Sequence, residues 1–278
     1  MERSGTLEHV MHDVDALARA LEFHRQIDER MSTDVVSFTG GAAYLDREFP
    51  RRYTVNFLRV DDPAAGPAEH WMREADRLLG GRGLPHRTVL ISDTEIAERM
   101  AFAFAEHGYA LDRGVLMVQQ GEPEREHDLT RVEEVTYEEG RPLFEEIVRR
   151  EPWANDEKTV QMFADYRGKL ARMVGTRFFV ARMEGRPVGC CELYVDGEVA
   201  MVESVDTLKE FRGRGLASAS VLRAAEEGRA MGADWVHLWA DADDWPRRWY
   251  ARLGFRESAQ VLDFLRWPDR YTPPKSPV

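Results

Sequence analysis

The stretch from Val199 to Ala217, VAMVESVDTLKEFRGRGLA, constrains this chain more than any other, because it reads as a strand, a glycine-rich turn and the opening of a helix. Residues 199–205 mix β-branched valines with polar side chains, the pattern of a mostly buried strand. Arg212, Gly213, Arg214 and Gly215 follow, and Leu216 and Ala217 begin a helical run. Glycines at such a junction let the backbone approach a ligand closely. The first helical N–H groups, at the positive end of the helix dipole, then form a cradle for a phosphate or pyrophosphate. Two arginines add fixed charge and bidentate donors. Alone, the same turn is equally well a tight connection. It is not a P-loop, since no Gly-Lys-Ser/Thr follows. Nor is it a dinucleotide fingerprint, whose third glycine and downstream acidic residue are absent.

A second block lies downstream. Residues 235–241, WVHLWAD, alternate as a strand should, and a short helix leads into Trp249-Tyr250-Ala251-Arg252-Leu253-Gly254-Phe255. On its own this block is an amphipathic helix closed by a C-cap glycine. Together the two blocks resemble the GNAT superfamily of N-acetyltransferases. Arg212, Gly215 and Ala217 occupy the fixed places of its Arg/Gln-x-x-Gly-x-Gly/Ala signature, and Tyr250, Gly254 and Phe255 fit its Tyr-x-x-x-Gly-Phe block. Where the family commonly carries asparagine and alanine, this chain has Asp243 and Pro246. The resemblance covers residues 130–268, and its implications are specific. The fold class is α/β (α+β), each domain a mixed, mostly antiparallel sheet flanked by helices. Acetyl-CoA is the acyl donor, and no metal is required. Its pyrophosphate would lie on the Arg212, Gly213, Arg214, Gly215, Leu216 and Ala217 loop. Its pantetheine would lie beside Ser204 to Thr207, with Val205 and Thr207 as contacts, where that strand parts from residues 237–240; a further contact is made from Asp243. Tyr250 is the candidate acid for the departing thiolate, with a packing tyrosine as the alternative.

Glu203 is the candidate base. Alternation puts it on one face with Met201 and Val205, and a carboxylate among apolar neighbours has the raised pKa that a base near neutral pH needs. The family's glutamate stands two residues earlier, where this chain has Met201. Binding of a cationic acceptor, or pairing with an arginine, is an equal reading for Glu203, and Glu192 on the neighbouring strand is the reserve.

The 278 residues suffice for one large or two ordinary domains. With 50 acidic against 38 basic residues the net charge is −12, which disfavours nucleic acid and mildly favours cationic acceptors. No apolar run is long enough to cross a bilayer, and MERSGTLEHV has no apolar core of an export signal. Cys190 and Cys191 are adjacent in a predicted strand and point to opposite faces, so they cannot staple distant segments. A cytoplasmic protein, monomeric or homodimeric, is the expectation.

Taken in order, the first half predicts a helix over 14–31, strands over 34–45 (bent or bulged at Gly40-Gly41) and 53–60, and a loop over 61–67. A helix over 68–79, a strand over 87–92, a helix over 95–106 and a strand over 110–119 complete it. The second half predicts helices over 137–150 and 157–173, then a hairpin of 178–183 and 187–195 through Glu184-Gly185. The orders match, and aligning FAEHGYALDRGVLMV with YARLGFRESAQVLDF puts Phe104 opposite Tyr250. We therefore expect tandem copies: a degenerate domain at 1–120, a linker at 121–134 and a catalytic domain at 135–278. The alternative is two α/β halves with a generic shared pattern. The first copy lacks the chemistry, since Phe104 has no proton to give and Pro63 and Pro67 remove amide donors before its helix. GGRGL at 80–84 follows a helix, the wrong side to hold a phosphate. In this the architecture resembles mycothiol synthases, with no motif tying the chain to their substrate. The expected reaction is acetyl transfer to a primary amine of a small molecule. A protein or peptide amine, and a non-catalytic acyl-CoA-binding module, are the alternatives.

Overall fold

The computed structural model describes residues 3–154 and 156–268; the outer ends of the two predicted domains, 1–2 and 269–278, lie outside these. The chain divides into two compact units, residues 1–116 with 240–244 and 258–278, and residues 117–239 with 245–257.

The first unit opens on helix α1 (Arg3–Met31), which buries Ala20, Phe23, Ile27 and Met31, a stripe at helical spacing. Strands β1 (Asp34–Phe38) and β2 (Gly41–Leu45) form a hairpin rather than one bent strand, with Phe38 opposite Gly41. Gly40 takes φ 94° at the turn, a conformation for which glycine is suited. The predicted strand over 53–60 is a 3₁₀ turn at Tyr53–Val55 followed by β3 (Phe57–Val60). Helix α2 (Ala68–Leu78), β4 (Arg87–Ile91), α3 (Thr94–Glu106) and β5 (Ala110–Gln119) follow much as the periodicity predicts; β5 passes into the second unit after Leu116. The sheet runs β1-β2-β3-β4 and then the last strand of the chain, β11 (Phe255–Arg266). β3 and β4 are parallel and stay paired to their final residues, Val60 with Ile91. β11 lies antiparallel to β4, with Leu262 opposite Ile91. Its residues from Ser258 thus belong with the first unit, whereas the sequence division put them in the second domain.

In the second unit the sheet runs β10-β9-β8-β7-β6. β6 (Val132–Val135) is an edge strand on β7 (Arg177–Met183), so the predicted linker ends in sheet, and only what precedes Leu129 is irregular. Helix α4 (Tyr137–Arg149) starts with a capping box between Thr136 and Glu139, and α5 (Glu157–Val174) ends on Gly175 at φ 74°. β7 turns into β8 (Arg186–Asp196) through Glu184 and Gly185, both at positive φ, the primed turn that Glu-Gly predicts. β9 (Val199–Thr207), α6 (Leu216–Ala230), β10 (Trp235–Asp241) and the short α7 (Pro246–Ala251) complete the unit. Three of the four strand pairs are antiparallel, and β9–β10 is parallel. α6 covers one face of β7, β8 and β9, and α4 packs on β7, β8 and α5. The faces are distinguished by the two cysteines. Cys191 Sγ donates to the Ser220 carbonyl of α6, while Cys190 pairs in register with Asp206 and lies near Arg167 of α5. They point to opposite faces, as alternation predicts; both thiols are buried, and burial pushes Cys190 up to about 12.

Each unit thus contains two antiparallel pairings followed by a parallel βαβ crossover. No described helix is long and apolar enough to cross a membrane.

Candidate active site

The site is built where β9 leaves β10. The two strands pair only from Val199–Trp235 to Met201–His237, although they run on to Thr207 and Asp241. Beyond Met201 the ladder to β10 ends while the ladder to β8 continues to Thr207, so β9 has no partner strand on its β10 side there. The separation coincides with a bulge. Glu192 pairs with Glu203 and Cys190 with Asp206, so Ser204 and Val205 together oppose the single residue Cys191. Ser204 takes φ 53°, uncommon for a residue with a side chain. In the first unit the equivalent crossover strands stay paired to their ends and present no such opening.

From Thr207 the chain passes through a 3₁₀ turn (Lys209–Phe211) into Arg212, Gly213, Arg214 and Gly215. Arg212 Nε donates to the Thr207 carbonyl at 3.0 Å, which ties the turn to the strand end. Arg214 stacks on Phe211, 5.7 Å from the ring centroid. Gly215, at φ 78°, is the N-cap of α6 and has no side chain to satisfy that helix's first donors. The first helical backbone bond there is from Ala219 N–H to the Gly215 carbonyl, leaving the N–H groups of Leu216, Ala217 and Ser218 without intrahelical acceptors. A groove of about 380 Å³ runs along this loop between Gly213, Arg214, Gly215 and the segment holding Arg125, His127 and Arg131. Thr207 Oγ1 is buried without a hydrogen-bond partner, an orphan at the head of the same loop. Amide donors, two arginines and an unsatisfied hydroxyl are what a pyrophosphate and an amide-bearing arm require. The residues present fit acetyl-CoA.

Tyr250 is buried on α7, its ring 6.0 Å from that of Phe255 and 4.5 Å from that of Trp249. Burial raises its pKa well above the usual phenol range, and Cys191, Asp206 and Glu203 add to the shift. The hydroxyl therefore keeps its proton at physiological pH. Trp249 Nε1 donates to Ser218 Oγ at 3.0 Å, which ties α7 to the first turn of α6.

Glu203 is exposed, not set among apolar neighbours as alternation suggests, because the bulge ends the regular pleat one residue later. Its register partner Glu192 is 2 % exposed and fully engaged. Arg167 Nε donates to Oε1 at 2.6 Å, and the Tyr194 hydroxyl donates to Oε2 at 2.5 Å. Burial alone would lower the pKa of Arg167, but Glu192, Cys190 and Asp206 outweigh it and the net shift is upward. Arg167 Nη2 also lies 3.7 Å from Asp206 Oδ2.

The second unit therefore brings together Glu203, Val205, Thr207, the loop Arg212 to Ala217, and Tyr250. Asp243 falls in the segment 240–244 of the first unit, exposed in the turn after β10, with its N–H bonded to Asp241 Oδ1 at 2.8 Å. Arg167, Tyr194 and Asp206 were not legible as site residues. Only the bulge puts Asp206 on the face of Glu192. Among the described residues no cluster of His, Cys, Asp and Glu is placed to hold a metal ion.

A parallel strand pair that separates beside a helix N-terminus capped by glycine places the second unit in the α/β class. Residues 138–255 match the Acetyltransferase (GNAT) family, and this segment is a GNAT-family domain. An uncharacterized N-acetyltransferase of Methanocaldococcus jannaschii is 33 % identical over 101 residues, 34 % of this chain and 45 % of that protein. The chain thus matches under half the length of that relative. Among solved structures, a conserved protein of unknown function from Staphylococcus epidermidis superposes with TM-score 0.68 at 16 % identity, over 85 % of this chain and 94 % of that one. A GCN5-related N-acetyltransferase from Kribbella flavida gives 0.56 at 19 % identity, over 92 % and 93 %. A tandem GNAT protein from the clavulanic acid biosynthesis pathway gives 0.53 at 15 % identity, over 84 % and 80 %. At these identities the likeness is one of fold. The expected tandem GNAT-like architecture is the one the chain adopts.

Proposed function

We propose that the second unit is an acetyl-CoA-dependent N-acetyltransferase acting on a primary amine of a small molecule. The observation that carries this is the loss of β9–β10 pairing after Met201 and His237, directly upstream of the Arg212 to Ala217 loop. Acetyl-CoA, when bound, supplies an activated thioester acyl group and a thiolate leaving group. The α6 N–H groups and Arg214 hold its pyrophosphate, and Val205 and Thr207 line its pantetheine arm. Backbone N–H groups of β9 past its pairing with β10 would stabilise charge developing on an acyl oxygen. Tyr250 holds the proton needed by a departing thiolate, and burial that raises its own pKa raises that of a neighbouring thiol as well. Carboxylates on the α5 side of β8 and β9 (Glu192, Glu203 and Asp206, against Arg167) favour a cationic acceptor.

Calorimetry with acetyl-CoA and thiol release across a panel of primary amines test this reading. One binding site per chain with amine-dependent thiol release is expected. One site with no release from any small amine, peptide or protein amine would favour a non-catalytic acyl-CoA-binding module. Two equivalent sites would overturn the assignment to the second unit alone.

A further inference from the structure

We propose that Asp206 is the base that removes the ammonium proton from the acceptor, with Arg167 as its positioning residue and Glu203 left to bind the acceptor. This rests on the transferase reading above. On a regular strand, alternation sets residues 203 and 206 on opposite faces. The bulge at Ser204 and Val205 brings them to the same face, opposite Glu192 and Cys190 respectively. Asp206 is thereby turned to the α5 side, past the last β9–β10 pair, on the stretch of β9 that is free of β10.

Its surroundings suit a base better than those of either glutamate. Both oxygens of Glu192 are committed, to Arg167 and to the Tyr194 hydroxyl. Glu203 is exposed. Asp206 is half-buried, and its contact with Arg167 is a long 3.7 Å, enough to orient the carboxylate without occupying it. The groups acting on it come from every side: Arg167 on α5, Glu192 and Cys190 on β8, Glu151 after α4, Arg212 before α6 and Tyr250 on α7. Burial raises its pKa, Glu151 and Glu192 push the same way, and Arg167 and Arg212 oppose without reversing the result. A carboxylate so raised accepts a proton nearer neutral pH. In the step proposed, one N–H bond of the ammonium breaks, the proton passes to an Asp206 oxygen, and the electron pair stays on nitrogen. Asp206 returns that proton to solvent at the end of the cycle.

Two measurements on the full chain test this. Carboxyl ¹³C spectra of aspartate-labelled protein, assigned by difference with Asp206→Asn, should show Asp206 titrating above the ordinary aspartate value without substrates present. A value at or below the ordinary one overturns the proposal. Thiol release from acetyl-CoA is then compared for propylamine, protonated at pH 7, and trifluoroethylamine, largely neutral there. Asp206→Asn should slow propylamine by about 10²- to 10⁴-fold at pH 7 and trifluoroethylamine by less than about tenfold. The propylamine loss should shrink as pH rises, and Asp206→Glu should recover part of it. Equal losses for both amines at every pH would make Asp206 merely structural. If the wild-type protein releases no thiol with these or any panel amine, the transferase reading itself fails, and a raised Asp206 titration would stand apart from it.

Discussion

Met201 and His237 are the last register partners of the parallel β9–β10 pair, and three residues beyond Met201 the backbone of Ser204 turns to φ 53°. The opening and the bulge are one device. Losing β10 frees an edge of β9, and the extra residue against Cys191 re-aims the side chains from Asp206 onward. The parallel pair of the first unit, ending at Val60 and Ile91 still bonded, has neither.

The cradle is tested at Gly215 with two substitutions. Its φ of 78° strains any side chain, although the space around it is open. Gly215→Ala and Gly215→Glu should both lose about 1–2 kcal/mol of stability to the left-handed backbone. Only Gly215→Glu adds like charge at the phosphate site, and it should weaken acetyl-CoA by about tenfold or more relative to the alanine variant. Equal affinities by calorimetry would remove the pyrophosphate from this loop.

Tyr250 and Phe104 test the acid and the inactive copy together. Tyr250→Phe keeps the packing against Trp249 and Phe255 and should slow single-turnover acetyl transfer by about 10²- to 10⁴-fold with little change in acetyl-CoA affinity. Phe104 is fully buried and stacked on Phe264, centroids 4.0 Å apart. Phe104→Tyr should therefore lower Tm by burying a hydroxyl, and restore no activity to the Tyr250→Phe chain. Wild-type single-turnover rates in Tyr250→Phe would leave Tyr250 a packing residue.

Arg167 and Glu192 form a buried ion pair whose value depends on both partners. Arg167→Met leaves Glu192 charged and uncompensated and should cost about 3–5 kcal/mol in denaturant unfolding. Adding Glu192→Leu should recover most of that loss, since an apolar pair of similar volume is often no less stable. A double variant as unstable as the single one would locate the cost in packing against Phe144, over whose ring Arg167 lies at 4.6 Å.

Asp263 gives the first unit a pH dependence. Burial and the nearby Asp112 raise its pKa from 3.8 to about 7 in the folded chain, and its Oδ1 is buried with no hydrogen-bond partner. The folded state then binds more protons than the unfolded state between those values, so stability is complete below the lower one and is lost as pH rises through about 7. Asp263→Asn removes the titration. Its Tm relative to wild type should be higher at pH 8 than at pH 5 by roughly 5 °C, at ~2–4 °C per kcal/mol. A difference independent of pH would show that Asp263 is not the titrating group.

Much of the second unit is determined by local chemistry and was legible in the sequence. The glycines at 213 and 215, the Glu184-Gly185 turn and the helical and strand periods depend only on neighbours along the chain, and each predicted element of that unit appears within a few residues of its place, whereas β6 was read as linker. The Arg-x-x-Gly-x-Ala spacing, taken with the Tyr-x-x-x-Gly-Phe block downstream, likewise pointed to the family that residues 138–255 match. Pairing partners are not local. Nothing in 34–45 says that it folds back on itself, and nothing in 255–266 says that it pairs with β4 of the first unit. Such choices follow from which exposed edge and apolar face are available once both halves are assembled. The same holds at the site. A bulge depends on how β8 and β9 come into register, so alternation alone set Glu203 among apolar neighbours and turned Asp206 away from it. Only the tertiary register put the two carboxylates on one face with Arg167, because a single extra residue in one strand inverts the sidedness of every residue after it.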